Sequence, residues 1–342
     1  MRKFLPLFVA LFCLQLLQAQ EKRVSWSIGL VSEGQWNMSE GGTRWANLFN
    51  ADFGVKLWEG ALFDASVLST YGAGKAVADD RMGFSNIDAE NRWLRLFHAG
   101  LSQNFFDGAL TLFVGLKAAD EDYFNTPLAG LFTGSAYGGI PTVTENHDIA
   151  VYPESALALH VEYNKNGWVL RETLMNGAPS DKVGEQFRFR PGRDGLFNIG
   201  SAMYAVDGGA SSYTLGYAVT TKKAHGQSEF GVWGGVEQAL FRVGQARLSL
   251  LAQGSKQLTD NALCRAFWAT ALVAEDVTRC GGSLGLAVSR LFCADGHETD
   301  IELTFNYPVG RGVSVQPAIH AIRTDGSSAV VGQLRLCYEL GN

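Results

Sequence analysis

The eight residues D-I-E-L-T-F-N-Y, Asp300 to Tyr307, alternate without a break: Ile301, Leu303, Phe305 and Tyr307 point one way and Asp300, Glu302, Thr304 and Asn306 the other. A period of two is the signature of a strand with one apolar and one wet face. The pattern returns at Gln333 to Leu340, where Leu334, Leu336, Tyr338 and Leu340 oppose Gln333, Arg335, Cys337 and Glu339. Such strands do not fit a core that is apolar on both sides. Tyr213 to Thr220 repeats it with small residues on the second face. Working outward, comparable runs begin near Val24, Arg44, Ala61, Arg92, Ala109, Ser155, Gly167, Leu196, Ser212, Gln227, Val243, Leu263, Gly282, Thr299, Val313 and Ala329, sixteen in all.

The connections sort by parity. One set is turn-sized: Trp58 to Gly60, Phe105 to Gly108, Asn164 to Asn166, Asp207 to Ser211, Leu240 to Arg242, Ala274 to Gly281 and Pro308 to Gly312. The other holds the three longest, Ala73 to Asn91, Ala118 to Glu154 and Gly177 to Gly195. A soluble sandwich has no reason to send its long loops to one end, whereas an outer-membrane barrel has short periplasmic turns and long outer loops. The expected fold is all-β: a transmembrane antiparallel β-barrel of about sixteen strands, with the third outer loop folded into the lumen.

The remaining composition agrees. Arg2 and Lys3 precede an apolar run from Phe4 to Leu17 that ends near Ala19, which reads as an export signal over residues 1–19 and a single barrel domain over 20–342. No later segment offers the 18 or so apolar residues of a spanning helix. Gly and aromatics are plentiful, with mean hydropathy of +0.01, because lipid-facing and lumen-facing residues cancel. Without Arg2 and Lys3, 26 basic residues face 34 acidic ones, which disfavours nucleic acid and a dedicated anion pore. Of Cys264, Cys280, Cys293 and Cys337, the pair Cys264 and Cys293 falls near one end of neighbouring strands but on opposite faces, so bridging them requires a bulge or loop freedom.

A sixteen-stranded barrel is too wide for side chains to fill. A loop must narrow it, and the third outer connection carries acids and rings suited to that task. The expected pore-lining set is Asp88, Glu90, Arg92 and Arg95 at the second outer loop and the strand after it, then Asp120, Glu121 and Asp122 with Tyr123 and Phe124 on the inward loop. His160, Glu162 and Arg171 are expected on the wall. Opposed charges across a gap order water and favour polar solutes, while acids bond hydroxyls and rings stack on sugar faces. A solvated loop or lumen charge without a selective role is the alternative for each of these residues.

From Ser85 onward the chain also carries S-N-I-D-A (Ser85 to Ala89), R-L-F (Arg95 to Phe97), Q-N-F-F-D-G (Gln103 to Gly108), A-D-E-D-Y-F (Ala119 to Phe124) and A-G-L-F (Ala129 to Phe132). V-Y-P (Val151 to Pro153), N-G-A-P (Asn176 to Pro179), Glu237 with Gln238, and S-V-Q-P (Ser314 to Pro317) follow in order. In these motifs the chain resembles the carbohydrate-selective porin family, the OprB-like outer-membrane channels. The resemblance implies a sixteen-stranded barrel that passes glucose-like sugars by diffusion, and so small carbohydrates and outer-membrane lipid as partners. His98, Phe113 and Ser201 stand where such porins often carry further lumen charges, so the resemblance also implies a different constriction chemistry.

Nothing points to catalysis. No two histidines have H-x-x-x-H spacing, no G-x-S-x-G turn occurs, and no phosphate-binding glycine pattern is present, so neither a catalytic residue, a metal nor a cofactor is expected. The competing readings are a general or cation-preferring porin and a loop-plugged structural barrel. Both a homotrimer and a monomer remain open, since barrel contact surfaces are as apolar as lipid-facing ones.

Overall fold

The structure is a computed structural model that describes residues 23–180, 182–221, 229–260 and 262–342. The export segment expected over 1–19 lies outside them. Sixteen strands are present: β1 (Val24–Asn37), β2 (Thr43–Trp58), β3 (Ala61–Gly74), β4 (Arg92–Phe105), β5 (Leu110–Lys117), β6 (Ala156–Lys165), β7 (Trp168–Asn176) and β8 (Leu196–Val206) in the first half. The second half holds β9 (Ser211–Thr220), β10 (Glu229–Val243), β11 (Ala246–Gln257), β12 (Cys264–Glu275), β13 (Ser283–Cys293), β14 (Gly296–Gly310), β15 (Val313–Thr324) and β16 (Ser328–Gly341). Each pairs antiparallel with its sequence neighbours, and β1 pairs with β16 from Ser27↔Gly341 to Asn37↔Val331, closing the cylinder.

Side-chain parity sets the two faces. On β14, Ile301 and Leu303 are 46% exposed, whereas Glu302 is fully buried and Asp300 nearly so. Leu and Val residues thus coat the outside and polar groups point inward. Aromatic residues ring both edges of the outer band: Trp36, Trp45, Tyr71 and Trp93 toward the long loops, and Trp58, Tyr163, Trp168 and Tyr204 toward the short turns. The turns have the chemistry that tight hairpins demand. Asn166 and Gly167 both take positive φ, 55° and 83°, as a two-residue hairpin of this twist requires.

Two local departures have physical causes. Leu240, expected in a turn, is a bulge inside β10, and the turn follows at 244–245. A second bulge at Arg265 reverses the parity of β12 at its end and brings Cys264 opposite Cys293, where the two form a disulfide. Cys280 and Cys337 are free thiols.

The three long outer connections, L2 (75–91), L3 (118–155) and L4 (177–195), join the strands at the end opposite the short turns. L3 is built of short helical turns and buries Tyr123, Phe124, Phe132, Tyr137 and Ile140 against Phe197, Ile199, Trp233 and Phe267, inward residues of β8 to β12.

Replacing outward Leu303, at the middle of β14, by Arg should cost about 2–4 kcal/mol, read from denaturant unfolding in lipid vesicles. A cost near zero would place this face away from lipid.

Candidate functional site

The inner wall holds L3 by its backbone. Leu128 N donates to Glu237 Oε1 of β10 at 2.8 Å, and the Thr126 hydroxyl donates to the same oxygen. On the far side, Thr133 N and Gly134 N donate to Glu302 of β14 at 2.7 and 3.1 Å. Thr133 Oγ1 lies 2.9 Å from His320 Nε2 on β15, whose other ring nitrogen is 2.9 Å from Asp300. Gln316 donates to Leu131 O at 2.6 Å, and Asn146 exchanges two bonds with the backbone of Cys264. An N–H inside the barrel but out of reach of water must find an acceptor, and a carboxylate takes two or three at once. All these partners have inward parity, so L3 lies across the interior on the β7 to β16 side.

The expected residues then separate. Asp88 of L2 forms a two-toothed pair with Arg44 of β2, 2.6 Å on each side. Glu90 and Arg92 pair with each other at 2.8 Å on the exposed outer rim. Arg95 is buried, reaching Glu154 at the end of L3 (3.3 Å) and Ser180 O of L4 (3.0 Å), so it joins two loops to the wall. Asp120 accepts Tyr152 N, closing the base of L3, and burial pushes its carboxyl up to about 7. Tyr123 and Phe124 are 4% and 1% exposed and pack edge-on against Trp233, with Tyr123 OH donating to Ile199 O at 3.0 Å. The expectation that these two rings stack on sugar is therefore corrected: their apolar area is already spent on the wall.

Glu121 and Asp122 come together with the expected His160, with His98, and with Lys117 and Asp64, which the sequence did not single out. Lys117 Nζ lies 3.3 Å from Glu121 and 2.9 Å from Asp122. His98 bridges Glu121 (3.2 Å) and Asp64 (2.9 Å), while His160 sits on Thr173 at 2.7 Å and 3.7 Å from Asp122. One register step toward the turns, Glu162 and Arg171 pair at 2.6 Å. Between this cluster and the β1 to β4 wall lies a cavity of ≈ 680 Å³, lined by Ser27, Asn50, Asp52, Asp64, His98 and Glu121 among others. Ser27 and Asn50 donate to Asp52 at 2.6 and 3.0 Å. Parity could have found Asp52 and Asp64, which share the inward face of β2 and β3 with Asn50 and Ser66. Among the described residues no group of His, Cys, Asp and Glu is arranged to hold a metal ion.

The sequence profile of the carbohydrate-selective porin, OprB family, matches residues 49–229, more than half of the 342. The chain belongs to this family. It is thus an outer-membrane channel protein, and its fold is shared with solved porins. The high-pH structure of Pseudomonas putida OprB is 19% identical, with 96% of each chain covered and a TM-score of 0.81. A Salmonella typhi OmpF complex with daunomycin is 10% identical over 93% and 97% of the two chains, TM-score 0.63. An anion-selective porin from Comamonas acidovorans is 14% identical over 93% and 98%, TM-score 0.58. A search of curated proteins finds no match. Family motifs turn up at the loop anchors: Asn86 of S-N-I-D-A donates its N–H to Thr133 O at 2.7 Å and accepts Arg335, Glu237 grips L3, and Gln316 of S-V-Q-P holds Leu131.

Two outcomes follow. Glu302→Ala strands the Thr133 and Gly134 amides, each costing about 1–3 kcal/mol, and single-channel records should show larger, flickering conductance. Asp120, raised from an ordinary 3.8 to about 7, favours its protonated form in the folded chain. Its stabilisation is full below pH about 4 and lost as pH rises through about 7. L3 should accordingly become more protease-sensitive over that window, and Asp120→Asn should flatten the slope.

Proposed function

We propose that this porin passes neutral monosaccharides by diffusion through the passage between L3 and the β1 to β4 wall. The observation that carries this reading is the chemistry of the ≈ 680 Å³ cavity, where carboxylate acceptors (Asp52, Asp64, Glu121) alternate with neutral donors (Ser27, Asn50, Ser66) and the His98 ring. A sugar entering it exchanges water for partners of both kinds, so its hydroxyls lose little on desolvation. Glu121, Asp122 and Lys117 form one bank, with Glu162 and Arg171 below them, and the mixed charge favours polar over apolar solutes. Relatives in the family are described as carbohydrate-selective, which supports the same substrate class.

A cation preference has its own support. Asp52 is held by two neutral donors, and Asp64 shares His98 with Glu121, so acids exceed bases around the cavity.

In a planar bilayer, millimolar glucose should block the ionic current. An unchanged current across a panel of sugars removes the sugar reading and leaves the cation-preferring one, which reversal potentials in a salt gradient then test. Asp52→Ala should raise the half-blocking glucose concentration by about tenfold, the loss of one charge-assisted hydrogen bond.

A further inference from the structure

The outer wall carries a polar site at hydrocarbon depth. Among the described strand residues, Glu172 of β7 is the one carboxylate with outward parity, and it is exposed. Asn198 of β8 donates to its Oε1 at 2.5 Å, and the Tyr217 hydroxyl of β9 lies 2.8 and 3.0 Å from its two oxygens. Gly200 sits between them; a Cβ there would collide with Glu172 Oε2 and the Tyr217 ring, so only glycine leaves room for the cluster. Around it stand Leu170 (43% exposed) and Leu215 (75%), which face lipid. Glu172 lies four residues along β7 from Trp168 of the turn-side aromatic ring. At about 3.3 Å per residue and a tilt of about 40°, that is roughly 10 Å inside a band about 25 Å tall.

A carboxylate at that depth is costly unless it has a partner, and ionisable groups in a membrane mark function. A cleft of ≈ 530 Å³ begins at the Glu172, Gly200 and Tyr217 row and runs toward the periplasmic edge past Leu170, Ala202, Leu215 and Tyr163. It therefore offers a path from the inner-leaflet headgroup level to the carboxylate.

A second copy of this chain fits poorly. The two neighbouring donors are already spent, since Asn198 divides its amide between Glu172 and Thr173 O and Tyr217 gives its hydroxyl to Glu172, so two copies face to face would oppose acceptor to acceptor. Outward or bulge-exposed lysines and arginines among the described strand residues, Lys165, Lys256, Arg265, Arg290 and Arg323, stand near strand ends, away from this depth. A copy inserted in the same direction cannot bring them to Glu172. What complements the site is a cation with N–H donors that arrives along the cleft on an apolar tail.

We propose that the Glu172, Asn198 and Tyr217 cluster binds the primary ammonium headgroup of a phospholipid from the periplasmic leaflet. The headgroup enters the cleft, its N–H groups bond Glu172, and its chains lie over Leu170 and Leu215. The site faces away from the lumen and is independent of the sugar reading.

Native mass spectrometry of the full-length protein, titrated with phosphatidylethanolamine, phosphatidylcholine and phosphatidylglycerol, tests this. Phosphatidylethanolamine should bind about tenfold more tightly than the other two, because only its head offers both charge and N–H donors. Glu172→Gln, which keeps the shape and the bonds to Asn198 and Tyr217, should erase the preference. A heat-shifted gel band confirms that the variant is folded, and conductance should be unchanged. Equal binding of choline and ethanolamine lipids, or an undiminished preference in Glu172→Gln, overturns the proposal. So does a wild-type dimer that the substitution dissolves, which would assign the cluster to a second copy.

Discussion

The hydrocarbon layer offers no water to a backbone amide, and the rest of this structure follows from that constraint. Every N–H and C=O of a lipid-exposed strand must find its partner on another strand, so a sheet with free edges cannot stand there. Pairing β1 with β16 removes both edges. Closure at sixteen strands creates an interior too wide for side chains to fill, and the period-two pattern makes that interior polar. The inward rows of Glu302, His320 and Gln333 are the unavoidable counterpart of outward Leu303, Ile319 and Leu334.

A wide polar interior poses a second problem, because the loop that narrows it brings its own amides and apolar side chains inside. The barrel solves this by dividing its inner wall. Toward β8 to β13 the wall is apolar, with Phe197, Ile199, Trp233, Phe267 and Leu291 receiving the rings of L3. Flanking this patch, Glu237 and Glu302 accept backbone N–H groups at two separate turns of the loop, 126–128 and 133–134. The open side toward β1 to β4 sets short polar groups, Ser27, Asn50, Asp52, Asp64 and Ser66, among Leu48, Leu62 and Leu68. The same residue type therefore has three jobs set only by its neighbours: Glu302 anchors a loop, Glu121 borders the passage, and Glu172 faces lipid.

Ion pairs extend this division to the loops. Arg44 with Asp88 and Arg95 with Glu154 tie L2 and L3 to the wall, and Arg81 of L2 holds Asp295 at 2.7 Å, keeping that carboxyl down at about 2. Several charges expected at the pore also pair between loop and wall. Composition cannot distinguish the two roles, since both need inward-pointing acids and bases close to the outer rim.

Sequence alone determined the class, the strand starts to within a few residues, the segregation of long loops and the side-chain direction along the regular strands, because all four are local consequences of a repeat of two that bulges such as those at Leu240 and Arg265 interrupt. It also showed that Cys264 and Cys293 could meet only through a bulge or a free loop, and the structure has the bulge. Tertiary structure decided which inward residues still face open space. Tyr123 and Phe124 are spent on Trp233, Arg95 on Glu154 and Ser180, and Asp120 on Tyr152, while Asp52, Asp64 and His98 line the cavity. A loop's landing place depends on contacts between residues far apart in the chain, such as Thr133 with Glu302, and no periodicity encodes those.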